Sequence, residues 1–275
     1  MEKEMKVAVL IDAENISSKY ANLILQEASN LGSVIYKRIY GNWTTPMLGS
    51  WKTELLENAI QPIQQYSNTV GKNSSDSSLI IDAMDLLYQK QLDAFCIVSS
   101  DSDFTRLASR LCESEMFVMG MGEQKTPRAF ISACNKFVYL DLLYKAEPGE
   151  TRKSSKRRRK PGKPEKTPDE KIITPPVVEP DNEDANLAHG DGSDILAVKE
   201  ALRDVAEEFC SDDGWILSAR LGAFLSKRLT DFDTRNFGFK KFVPFIESLN
   251  MFESRSISSP EDEGVKTIYF RLMEE

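Results

Sequence analysis

Five side chains that can bind a hard cation or orient one of its ligands stand where apolar runs give way to turns or helices. They are Asp12 and Asn15 in IDAEN, Asp76 after Gly-Lys-Asn-Ser-Ser, and Asp101 and Asp103 in SSDSDF. Carboxylates converging at one edge of a sheet repel each other, and their pKa values rise unless a cation lies between them. Oxygen donors of this hardness suit Mg2+ or Mn2+. Such an ion can activate water and stabilise the charge that develops on a scissile phosphate. Taken singly, Asp12 or Asp103 is as readily a helix cap; the signal lies in the set. Asp82 and Asp85 follow Asp76 by six and nine residues. On a 3.6-residue turn Asp82 points about 240° away from Asp76, which predicts a structural or solvated role.

What is missing narrows the chemistry further. The one histidine, His189, lies in a charged, turn-rich tether, so neither a buried histidine base nor a Ser-His-Asp triad is available. No GxGxxG opens the first helix and no GxxxxGK[ST] is present, which removes the dinucleotide and P-loop readings. A phosphatase with an Asp nucleophile would want a second aspartate two residues on, but Ala13 and Glu14 follow Asp12. Metal-assisted hydrolysis needs none of these.

The elements that must position the acids alternate between two periods. VAVLI (7–11) and AFCIVSS (94–100) are continuous apolar runs, as in strands buried on both faces. Further strands are predicted at Val34–Tyr40, Ile60–Tyr66, Met116–Met121 and Phe137–Leu140. Helices are predicted from after Asp12 to Leu31, over Leu48–Ala59, over Ser77–Gln89 capped by Asp76 or Ser77, over Phe104–Glu115 and over Pro127–Ala133. This alternation implies an α/β domain, a mostly parallel sheet wrapped by helices. Ligands of such sheets sit outside the carboxyl ends of the strands, and Asp12 and Asp101 fall there.

The chain has 275 residues and a net charge of −8, unevenly spread. Residues 1–150 carry 14 Lys/Arg against 19 Asp/Glu, 151–192 carry 10 against 8, and 193–275 carry 11 against 16. Nucleic acid would therefore be met through local basic patches or through metal ions. Residues 148–192 are rich in Pro and charge and poor in periodic apolar content, the composition of a disordered linker. Its KRRRK stretch (156–160) reads equally as an RNA contact, a nuclear address or a solvated charge run. Four widely spaced cysteines lack a zinc pattern and suit buried thiols in a reducing cytoplasm. No apolar run reaches the roughly 20 residues of a membrane span.

Beyond the linker, Ile195–Cys210 is an amphipathic helix, 214–229 a turn and second helix, and 237–249 a third. MFESRSI and VKTIYFRL then read as a hairpin around Pro260 and Gly264. Three helices and a hairpin make a small α+β winged-helix domain. Trp215, Phe239 and Phe242 are expected in its core.

The stretches VAVLIDAEN, YGNW, GKNSSDSSLIIDAMDLLY, FCIVSSDSDFTRLASRL and FISACNKFVYLDLL resemble the NYN-domain family, a branch of the PIN-like nucleases. The likeness runs in order over about residues 5–145 and implies domain bounds near 1–147. It implies a ribonuclease site with Asp12, Asp76 and Asp101 as principal metal ligands. Asp103 would be a further ligand or hold water, Asn15 would orient, and Ser99, Ser100 and Lys72 would meet phosphate. Where the family more often has Tyr-Gly-Asp-Trp, this chain has Asn42. Residues 193–275, through DGWILSARLGAFLSKRLTDFDTRNFGFKKFVPFIESLNMFE, resemble the LOTUS, or OST-HTH, winged-helix domain, which implies RNA binding or protein docking. Lys227, Arg228, Arg235, Lys240 and Lys241 are its candidate phosphate contacts. The combined reading is a Mg2+- or Mn2+-dependent RNA endonuclease steered by linker and winged helix, with a homodimer left open. The rival is a non-catalytic RNA-binding adaptor on a disused nuclease fold.

Overall fold

Apolar residues at alternate positions of the first strand enter two different cores. Val7, Val9 and Ile11 pack on one face, Ala8 and Leu10 on the other, and all five are fully buried. A strand of this kind must lie mid-sheet with helices on both sides, and it does. The computed structural model describes residues 4–66, 74–146, 192–211, 213–258 and 266–273. Lys72, His189, the KRRRK stretch and nearly all of the linker lie outside them.

Six parallel strands form the N-terminal sheet: β1 (Lys6–Asp12), β2 (Ser33–Gly41), β3 (Gln61–Gln64), β4 (Ala94–Val98), β5 (Phe117–Gly122) and β6 (Lys136–Tyr139). Their order is β3-β2-β1-β4-β5-β6. The connection therefore reverses direction between β1 and β4, opening a crevice at their carboxyl ends. Helices α1 (Ala21–Leu31), α2 (Trp51–Glu57) and α6 (Leu140–Ala146) lie on the face of Val7 and Val9. The opposite face carries α3 (Ser74–Tyr88), α4 (Thr105–Glu113) and α5 (Arg128–Ser132). This is the expected α/β class.

Several boundaries differ from expectation. The helix placed at Leu48–Ala59 is a 3₁₀ turn (Pro46–Ser50) followed by α2, with Pro46 at the start of the turn and Trp51 fully buried. Helix α3 begins at Ser74, so Asp76 lies in its first turn instead of capping it. Helix α6 follows directly on β6, because Leu140 and Leu143 turn inward to the α1 side.

The C-terminal module has its own core. It comprises α7 (Ile195–Phe209), β7 (Trp215–Leu217), α8 (Ser218–Arg228), a 3₁₀ turn (Thr234–Phe237), α9 (Phe242–Ser248), β8 (Phe252–Ser258) and β9 (Lys266–Leu272). Asp194 caps α7 by accepting from the Leu196 amide at 2.9 Å, and Val198, Leu202 and Val205 bury its apolar stripe. Three antiparallel strands in the order β7-β9-β8 complete the winged-helix pattern. The third helix, expected over 237–249, is shortened to α9; Phe237 instead ends the 3₁₀ turn, which Gly238 terminates at φ 82°. Phe239 and Phe242 pack on the core as expected. Trp215 does not: Ile216 and Phe270 take the inner face of the sheet, leaving Trp215 half-buried on the outer one. There the guanidinium groups of Arg255 and Arg271 lie 4.4 and 4.9 Å from its ring centre. Among the described residues no helix is long and apolar enough to cross a membrane.

Candidate metal centre

The acids converge at the crevice between β1 and β4. Asp76, Asp101 and Asp103 each bring a carboxylate oxygen to within 4.8 Å of the other two. Asp101 follows β4 and caps the 3₁₀ turn Ser102–Phe104, its Oδ1 accepting from the Asp103 amide at 2.9 Å. That turn sets Asp101 and Asp103 side by side, and the first turn of α3 delivers Asp76 from the other side. Asp76 is 8% exposed and its neighbours are half-buried or exposed, so the cluster has a dry wall and an open rim.

Asp12 stands behind this trio and is held differently. At 1% exposure, its Oδ2 accepts from Asn15 Nδ2 at 2.7 Å and from Ser99 Oγ at 2.8 Å. Its Oδ1 accepts from the Glu14 amide at 3.1 Å. Three donors fix the carboxylate, while burial still pushes its pKa above the ordinary value. Asn15 is thus a clamp on Asp12. Ser99, fully buried, joins the two strands: its Oγ donates to Asp12 and accepts from the Asp101 amide at 3.1 Å.

The pKa of Asp76 rises from 3.8 to about 6, first through burial and then through the charges of Asp12, Asp101, Asp103 and Glu14. A group so placed is ionised at neutral pH only against its neighbours, and a divalent cation among them would remove that opposition. The donor set is entirely hard oxygen, open on one side, and fits Mg2+ or Mn2+.

Residues 6–141 match the family model of the NYN domain, and residues 194–262 that of the OST-HTH/LOTUS domain. This is an NYN-domain protein with a C-terminal OST-HTH/LOTUS domain. Among solved structures, a protein of unknown function from Vibrio parahaemolyticus is 19% identical, with a TM-score of 0.44. The match spans 50% of this chain and 94% of that one. No curated protein matches the chain.

The remaining candidates in the NYN domain are placed as follows. Ser99 and Ser100, expected at phosphate, turn their hydroxyls inward. Ser100 Oγ accepts from the Glu123 amide at 2.9 Å, bracing β4 against the end of β5. Lys72 lies outside the described residues. Asn42 sits in the turn after β2, where Oδ1 accepts from Thr44 Oγ1 at 2.6 Å and Gln64 Nε2 at 3.1 Å. The amide thus serves the turn. Asp82 accepts from Arg38 Nη1 and Tyr40 Oη, both at 2.9 Å, which is the structural role expected of it. Glu14 also belongs to the site although the sequence does not single it out: its charge acts on Asp76, and its Oε1 accepts from the Asn42 amide at 3.4 Å. Its position two residues after Asp12, in the same turn, was the available signal.

In the LOTUS domain, Lys227, Lys240 and Lys241 are exposed. Arg228 pairs with Asp204 at 2.8 Å. Arg235 is only partly exposed, and its guanidinium is already engaged by carboxylates. Its guanidinium is held between Asp233 and Glu27 of the NYN domain.

Proposed function

We propose that the protein is a divalent-metal-dependent endoribonuclease, with Asp76, Asp101 and Asp103 holding the ion and Asp12 forming the fixed acidic floor behind them. The observation that carries this reading is the meeting of three carboxylates at the carboxyl edge of β1 and β4, where open α/β sheets bind ligands. Membership of the NYN domain in the nuclease superfamily supports it. When bound, the ion supplies Lewis acidity toward a phosphodiester and a water of lowered pKa.

The chain supplies the geometry. Asn15, Ser99 and the Glu14 amide hold Asp12 still, and the Ser99 hydroxyl sets the distance from that floor to Asp101. Asp76 must be ionised to act as a ligand, and its pKa near 6 lets that happen at neutral pH. The catalytic edge itself is acidic, so phosphate would be steered from elsewhere. Exposed Lys227, Lys240 and Lys241 of the LOTUS domain suit RNA backbone contacts. Of the four free cysteines, Cys96 and Cys134 are buried as expected, whereas Cys112 is half-buried and Cys210 exposed; unpaired thiols of this kind fit a cytoplasmic setting.

The test is cleavage of labelled single-stranded and structured RNAs with Mg2+, with Mn2+ and with chelator, beside Asp101→Asn. Cleavage that needs the metal and is lost in the variant is the expected result. Tight RNA binding without cleavage under any condition would instead favour the adaptor reading.

A further inference from the structure

The open edge of the nuclease sheet, strand β6, is covered by the LOTUS domain through buried, charged contacts. The Phe137 amide on β6 donates to the Thr230 carbonyl at 2.8 Å, pairing a backbone group that an edge strand would otherwise leave to solvent. Beside it, Asp231 is 1% exposed. Its Oδ2 accepts from Tyr139 Oη at 2.7 Å and Arg128 Nη1 at 3.0 Å, and its Oδ1 from the Gly192 amide at 3.0 Å. Glu27 of α1, 2% exposed, receives both terminal nitrogens of Arg235 at 2.6 and 3.0 Å. Asp233 holds the same guanidinium at 2.7–3.1 Å.

Carboxylates this deeply buried are retained only where partners satisfy them, and here the partner of Glu27 and both partners of Asp231 Oδ2 come from the other domain. A side chain at Gly192 would also collide, its Cβ falling 2.5 Å from Asp231 Oδ1 and from the Phe232 nitrogen. The NYN and LOTUS domains accordingly group as one compact unit.

We infer that the surface formed by Glu27, Arg128, Phe137 and Tyr139 is a docking site for the chain's own LOTUS domain, which is a fixed flank of the nuclease and not a mobile targeting arm. It follows that Arg235 serves the joint and is not free to act as a phosphate contact. This inference does not depend on the activity proposed above, because the docking can be read without any cleavage assay.

A protease site inserted between Pro161 and Gly162 of the full chain gives the test. After cutting, the two halves should co-elute on size exclusion at physiological salt and run as one monomer by light scattering. Arg235→Glu places a third acid against Glu27 and Asp233, and should weaken the association at least about 100-fold. Glu27→Arg in the same chain should restore it. Should Arg235→Glu fail to fold, Tyr139→Phe, which deletes one bond to Asp231, should still weaken the association measurably. Wild-type halves that separate at micromolar concentration would overturn the proposal. So would cut Arg235→Glu halves that hold as tightly as wild type, or an uncut chain that is a dimer exchanging its LOTUS domains.

Discussion

Replacing Asp76 by Asn should make the metal-free protein more stable and the metal irrelevant to its stability. In the metal-free fold the Asp76 pKa rises from 3.8 to about 6, through burial and then four neighbouring acids. Each pKa unit is worth about 1.4 kcal/mol, so a fully sheltered site would carry roughly 3 kcal/mol of strain at neutral pH. The open rim admits water and counterions, which reduces this to about 1–2 kcal/mol. Asn also gives up the attraction of a first-turn carboxylate to the helix N-terminus, roughly 0.5 kcal/mol. The net gain is then about 1 kcal/mol, or ~2–4 °C in Tm for a folded unit of this size.

The pH dependence has a definite sign. Because the folded pKa lies above the unfolded one, stability from this group is complete below about pH 4 and lost as pH rises through about 6. In chelator, the wild-type Tm should therefore fall between about pH 5 and 7 relative to Asp76→Asn. Metal at ~100 times its dissociation constant should raise the wild-type Tm by on the order of 5–10 °C and the variant's hardly at all. Differential scanning calorimetry in chelator, Mg2+ and Mn2+ reads all three effects. A variant that melts lower than wild type in chelator, or responds to metal as wild type does, would refute the account of the cluster.

Ser99→Ala removes the hydroxyl joining Asp12 to the Asp101 amide, the first bond buried and the second part-buried. It should cost about 1–3 kcal/mol in urea unfolding and lower metal affinity, measured by titration calorimetry; unchanged affinity would show that Asp101 is positioned without it. Changing Lys227, Lys240 and Lys241 together to Ala should flatten the dependence of RNA affinity on salt by up to about three phosphate contacts. An unaltered slope would move the RNA path off this face.

How far the sequence reached depends on the range over which each signal acts. Asp12 and Asp101 were legible because doubly buried parallel strands leave continuous apolar runs whose carboxyl ends can be read directly. Helical phase alone sets Asp82 apart from Asp76, but the choice between a solvated and a structural role needs its partners Arg38 and Tyr40. Trp215 looks like core from sequence because β7 has only three residues, too few to show the alternation that puts Ile216 in and Trp215 out. Arg235 marks the deeper limit. A basic residue in a polar turn looks like a phosphate contact, and its partner Glu27 is 208 positions away in the chain. Nothing near Glu27 announces it either: an acid among the apolar residues of α1 is conspicuous only once it is seen to be buried. The two domains of this chain could each be inferred from local periodicity. The joint between them rests on charges that become partners only in the folded protein, so the sequence suggested a free arm where the structure has a bolted one.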